Sequence, residues 1–217
     1  MMAVFEKGER LRHIGHLDIQ RAMQRALRRS GLPVSYSQGF NPHILVTFAS
    51  ALSTGAAGKR EIMDVTLDRE IAPEDFMEAM NAALPPDMQL VDARAMEDKH
   101  PALMSLLTAA DYTIRLLDAE TAEKCLAAIP AFLEQESIMA MRKTKRGLHE
   151  CDIRPLIHAL RAEDGAIRAV LALTEASACK PDMLVSALCG FAGCEVPRAL
   201  TVRNGLMGEG LNPLETL

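Results

Sequence analysis

A chain of 217 residues with 49% hydrophobic and 24% charged side chains has ordinary globular composition and suits one large domain or two small ones. Its formal net charge of −5 argues against general polyanion binding. No apolar stretch approaches the ~18 residues of a membrane span, and Glu6, Lys7, Glu9, Arg10 and Arg12 exclude a signal peptide at the N-terminus. A cytoplasmic protein with no membrane association is expected. The five cysteines fit that compartment: they are odd in number and include no CxxC pair, which favours reduced, partly buried thiols over a metal site.

In chain order, residues 2–12 can form a strand. His16 to Ser30 is a helix, because Ile19, Ala22, Met23, Ala26 and Leu27 recur at three- and four-residue spacing. Gly31 and Pro33 end it. Leu45 to Phe48 is rich in β-formers, and the alternation from Met63 to Asp68 predicts a half-buried strand beginning near Ile62. Pro73 opens a second helix, stopped by Pro85 and Pro86, and Met88 to Ala95 supplies a further strand. Residues 96–110, with Glu97, Asp98 and Lys99 followed by His100 and Pro101, read as a linker, although the apolar run from Leu103 to Leu107 must pack somewhere.

The second half repeats this order. Tyr112 to Leu117 is a strand and Glu120 to Glu136 a helix despite Pro130. Two extended or irregular pieces follow (Ser137 to Arg142 and Ile153 to Leu160), then a strand from Ala166 to Leu173, a short helix from Pro181 to Phe191, and a strand from Leu200 to Arg203. The expected fold class is therefore α+β: two ferredoxin-like β-α-β-β-α-β sandwiches with antiparallel sheets and helices on one face. The expected units are 1–96 and 110–217.

The most informative surface is the first helix. Residues 1–30 carry seven basic side chains against three acidic ones, so the rest of the chain is more acidic than the whole. At ~100° per residue, Arg21, Arg25, Arg28 and Arg29 fall opposite the apolar stripe. A solvated helix face is the plain reading. An anion-binding face is the sharper one, because all four cations are arginines, no acid follows Asp18 among them, and guanidinium groups take phosphate in a bidentate way. Tyr36, Ser37, Gly39, Phe40 and Asn41, ahead of Pro42 and His43, form a turn-rich loop whose aromatic rings either stack on bases or fill a core edge. His13, His16, Asp18 and His43 could meet around a metal, but His16 and Asp18 equally suit a helix start. In the second half, Lys143 and Arg146 belong to a basic hairpin tip that offers a second phosphate contact. Asp152 and Arg154, two apart in an extended segment, could pair with each other. There is no phosphate-binding glycine motif, nucleophile elbow or HExxH.

The run from Arg10 to Asp18 (RLRHIGHLD), the run from Arg25 to Pro33 (RALRRSGLP), the run from Tyr36 to Pro42 (YSQGFNP) and Asp152-Ile153-Arg154-Pro155 together resemble a bacterial radical-SAM-linked domain family of unknown function. Its members stand alone or follow a radical SAM protein with a B12-binding-type region. The resemblance implies a companion to a radical SAM enzyme, in some genomes near RNA-processing genes. The chain lacks the CxxxCxxC motif that radical SAM chemistry needs. The expected function is therefore an accessory or substrate-presenting module, more a binder than an enzyme. It is expected to hold an RNA such as tRNA or rRNA beside a radical SAM partner and to need no cofactor or metal of its own. The alternatives are an RNA-modifying or RNA-cleaving enzyme of the paired ferredoxin-like type and a protein-only adaptor.

Overall fold

The computed structural model describes residues 1–97, 99–144 and 147–216, except the side chains at 143 and 144; Asp98, Lys145, Arg146 and Leu217 lie outside the described residues. The protein is α+β with mostly antiparallel strand pairing, and the chain divides into two compact units. The first comprises Met1–Leu107 with Gly208–Leu217, and the second Thr108–Met207.

The first unit follows the order β1 (Met2–Lys7), α1 (His16–Arg29), β2 (Val46–Phe48), β3 (Ala56–Val65), α2 (Pro73–Ala83) and β4 (Leu90–Arg94). Its strands lie in the order β4-β1-β3-β2, each pair antiparallel. Consecutive side chains on a strand point to opposite faces, so Ala3 and Phe5 of β1 and Met63 and Val65 of β3 turn toward the helices. There they meet Ile19, Met23, Ala26 and Leu27 of α1 and Phe76 and Met80 of α2 in one buried cluster. The left-handed Gly31, at φ +73°, lets the chain leave α1 where a side chain would be strained.

Three boundaries differ from those read in the sequence. The first strand stops at Lys7, and Glu9–Leu11 forms a 3-10 turn. β3 starts at Ala56, six residues before Ile62, because strand pairing, which sets Gly58 opposite Lys7 of β1, recruits an Ala-Ala-Gly stretch of low strand propensity. The segment expected as a linker holds a short helix α3 (Leu103–Leu106), with Leu103 and Leu107 buried.

The second unit follows β5 (Ala109–Leu116), α4 (Ala119–Leu133), a separate hairpin of β6 (Met139–Thr144) and β7 (Gly147–Asp152), β8 (Ile157–Glu163), β9 (Ala166–Ala172), α5 (Pro181–Phe191) and β10 (Ala199–Met207). The main strands lie in the order β10-β5-β9-β8, again antiparallel. Setting the hairpin aside, this matches the order of the first unit. Asp118 caps α4 by accepting from the Thr121 amide at 2.9 Å.

The sequence assigns the final residues to the second unit, whereas Gly208–Leu217 groups with the first. Leu214 is fully buried, and Glu215 pairs with Arg60 of β3. We expect Leu214→Ala to destabilise the protein by about 2–5 kcal/mol, the range for a truncated core leucine. Urea denaturation followed by far-UV dichroism checks it. A midpoint equal to wild type would show that the tail contributes nothing to the core.

Candidate functional site

The segment between β1 and α1, which carries the most specific part of the family resemblance, is held by buried polar groups. Lys7 is 2% exposed and Glu61 of β3 is 3% exposed. The Lys7 Nζ donates to the Arg12 carbonyl at 3.1 Å, and the Gly55 amide donates to the same carbonyl at 2.7 Å. Lys7, Glu61, His16 and Ser50 line one small cavity with Phe5 and Phe48. Its volume is about 10 Å³, room for roughly one water. His16 opens α1 and packs edge-on against Phe48, with ring centroids 5.4 Å apart. Gly58 lies against Glu61, where a Cβ would sit 2.6 Å from Glu61 Oε1 and 2.7 Å from its Cγ. Sequence reading named His16 but missed Lys7 and Glu61. The available signal was a lysine in the same strand phase as Ala3 and Phe5.

The four arginines of α1 are all exposed, but they are not equivalent. Arg21 pairs with Asp18 at 2.8 Å, one helical turn away. Arg29 donates to the Ala83 carbonyl at 2.7 Å, satisfying the C-terminal end of α2. Arg25 and Arg28 have no hydrogen bond or ion pair among the described residues. The charge run thus separates into two structural cations and two that remain available.

The loop after α1 is closed on itself. Tyr36 and Ile44 form an isolated antiparallel bridge, and the Ser37 amide donates to the His43 carbonyl at 2.9 Å. Ser37 Oγ lies 2.8 Å from His43 Nδ1 and accepts from the His43 amide at 3.1 Å. At its tip, Gly39 has φ +125°, Asn41 is exposed and the Phe40 ring is 106% exposed, while Tyr36 is 45% exposed. Ile44 supplies the buried foot. The loop thus displays an aromatic ring instead of burying it.

The residues singled out in the second half have other partners. Asp152 Oδ1 accepts from the amides of Ile138 at 2.8 Å and Arg154 at 2.9 Å, and these backbone bonds hold its carboxyl below the usual range. Arg154 Nε donates to the Leu133 carbonyl at the end of α4. Both side chains therefore secure the base of the β6–β7 hairpin. Arg146 and the side chain of Lys143 lie outside the described residues. His13, His16, Asp18 and His43 hold no shared site: among the described residues no group of three or more His, Cys, Asp or Glu is placed to hold a metal ion. All five cysteines are free. Burial pushes the Cys125 thiol up to about 12, and its Sγ lies 3.6 Å from that of Cys189.

Residues 1–181 match the model of a family described as an uncharacterized protein conserved in bacteria (DUF2344), and the chain belongs to that family. The match spans the first unit up to α3 and the second as far as the start of α5. No curated protein matches the sequence. Among the described residues, no helix is long and apolar enough to cross a membrane.

The close approach of Gly58 to Glu61 generates a test of the buried polar cluster. Gly58→Ala should destabilise the protein by about 1–3 kcal/mol through overpacking. In a Glu61→Ala background the same substitution should have little further effect, because the atoms it strikes are gone. Chemical denaturation of the four proteins gives the coupling. Equal effects in both backgrounds would mean that the two residues do not share this space.

Proposed function

We propose that the chain is an accessory, substrate-presenting module that binds RNA through its first unit and acts beside a radical SAM protein in the bacterial cytoplasm, with no chemistry of its own. The observation that carries the reading is that Arg25 and Arg28 stand exposed without partners among the described residues, on a helix whose other arginines are engaged. Free guanidinium groups on a rigid helix suit phosphate oxygens. The exposed Phe40, on a loop braced by Ser37 and His43, suits stacking on an unpaired base. The radical SAM partner rests on the resemblance of the Arg10–Asp18 and Tyr36–Pro42 blocks. We read the shared strand order, fourth-first-third-second in each unit, as that of two ferredoxin-like sandwiches.

An RNA-modifying or RNA-cleaving enzyme is less well supported. Its acid–base groups would have to converge in a cleft beside the arginines. Asp18 is tied to Arg21, Asp152 is tied to backbone amides, and His16 lines a cavity far too small for a nucleotide.

Replacing Arg25 and Arg28 together by alanine should leave folding within about 0.5 kcal/mol of wild type. Binding to single-stranded oligonucleotides or tRNA should weaken, with the log–log salt slope flattening by about 1.4 for two lost single-strand phosphate contacts. Titrations at several salt concentrations measure it. An unchanged affinity and slope in a folded variant would reduce the arginines to a solvated face. RNA binding absent from the wild type, with binding to an acidic protein instead, would favour the adaptor reading.

Phe40 gives an independent test of the same proposal. Phe40→Ala should weaken single-strand binding by about 1–3 kcal/mol per stacked base while leaving the salt slope unchanged. Loss of stability in that variant, with affinity intact, would assign the ring to packing.

A further inference from the structure

The second unit carries an open groove of about 610 Å³ between the end of α4, the face of α5 and strand β6. That volume falls within the range of ligand-binding clefts. Phe132 and Phe191 meet edge to face across its apolar wall, with centroids 5.5 Å apart, and Met183 is buried beside them. Phe191, Met139 and Met141 remain 44–54% exposed, so apolar side chains of the groove stand without a cover among the described residues.

The way β6 enters the wall indicates what shape of partner fits. Ile138 and the first three residues of β6 (Met139, Ala140 and Met141) all line the groove. A strand presenting one face would contribute every second residue, so β6 contributes its edge as well. The hydrogen-bond phase agrees. The Ile153 amide donates to the Ile138 carbonyl at 2.8 Å, and bonded pairs alternate along an antiparallel ladder. Ala140 and Arg142 therefore bond to β7, while the amides and carbonyls of Met139 and Met141 point to the other edge. No strand pairs there among the described residues, since β6 and β7 form a two-stranded sheet. An unpaired edge beside a cleft of this kind is a template for one more strand.

Charge selects the partner further. The ionisable residues lining the groove are Glu150 and Asp182, both acidic and exposed. Exposed Glu134 and Glu136 flank the lining residue Gln135 in sequence. Arg142 is turned away and donates to the Ala178 carbonyl at 2.6 Å.

We propose that β6 is a docking edge for an extended segment of a partner protein. The segment pairs antiparallel or parallel with Met139–Met141, places alternate apolar side chains against Phe132, Met183 and Phe191, and carries lysine or arginine toward Glu150 and Asp182. This inference concerns the second unit and stands apart from the RNA-binding reading of the first.

The test uses the full chain and three synthetic peptides. One alternates leucine or valine with lysine, the second replaces lysine by glutamate, and the third is the lysine peptide with every second backbone amide N-methylated. Fluorescence anisotropy should show micromolar binding of the lysine peptide and at least about tenfold weaker binding of the other two. Met141→Pro removes an outward amide without touching a bond to β7 and should weaken the lysine peptide by about tenfold. Asp182→Asn combined with Glu150→Gln should erase the preference for lysine over glutamate. If Met141→Pro fails to fold, the N-methylated peptide decides the question without altering the protein. Equal binding of the N-methylated peptide, a helical bound peptide by dichroism, no preference for lysine, or no binding at about 1 mM would each overturn the proposal. So would a dimer in sedimentation that disperses in the Met141→Pro variant, because the edge would then belong to a second copy.

Discussion

A lysine ammonium held at 2% exposure in a protein interior would be costly by several kcal/mol if nothing met it. Lys7 is therefore a constraint on everything around it. Its bond to the Arg12 carbonyl, which also accepts from the Gly55 amide, ties together the end of β1, the approach to α1 and the approach to β3. A further bond from the Gly8 amide to the Asp87 carbonyl fixes the turn from the other side. With the chain held at Arg12, α1 begins at His16, and burial of its apolar stripe gives the helix its rotational setting. That setting sends Ile19, Met23, Ala26 and Leu27 inward and leaves Arg25 and Arg28 in solvent. The cluster that organises the site and the arginines that face outward are two ends of one arrangement.

What the sequence conveyed follows the strength of each local signal. The helix His16–Arg29 was legible because five apolar residues repeat at helical spacing and a glycine follows. Pro73 and Pro181 announced α2 and α5 for the same kind of reason. The beginning of β3 was not legible, because Ala56, Ala57 and Gly58 have no strand preference of their own and are strand only through pairing with other strands, Gly58 opposite Lys7 of β1. Lys7 and Glu61 escaped because burial of a charge depends on tertiary partners, which no single-strand pattern records. Asp152 and Arg154 have the spacing of a side-chain pair, and the Arg154 charge does act on the Asp152 carboxylate, but the main hydrogen bonds of both go to backbone groups at Arg154, Ile138 and Leu133, a local arrangement that competes with side-chain pairing. The placement of Gly208–Leu217 with the first unit depends on Leu214 and Glu215 finding partners far away in sequence.

The two units share a strand order but differ in what they expose. The first displays charged and aromatic side chains on a helix and a braced loop. The second inserts the β6–β7 hairpin between α4 and β8, and that insertion creates both the groove and a strand edge that pairs with no other strand among the described residues. Edge strands are a hazard that proteins usually blunt. The hairpin has basic residues toward its tip in sequence but methionines along the part that lines the groove. Methionine is flexible and tolerant of varied partners, which suits a surface that is filled only part of the time.

The small number of unengaged arginines also bears on how an RNA would be held. At physiological ionic strength, exposed charges more than ~8–10 Å apart are largely screened, so the net charge of −5 does not cancel a local basic patch. By the same screening, distant basic residues do not help it. Two free guanidinium groups neutralise about two phosphates, which gives only weak binding to a nucleic acid on its own. A stacked Phe40 adds to this but does not make a tight autonomous binder. Such a surface works when another contact raises the local concentration of the ligand, since linking two weak sites converts the second encounter into an intramolecular one. A protein docked elsewhere on the chain would supply that contact. If the face binds RNA as proposed, its sparseness fits an accessory role, in which that RNA would be shared with a second protein.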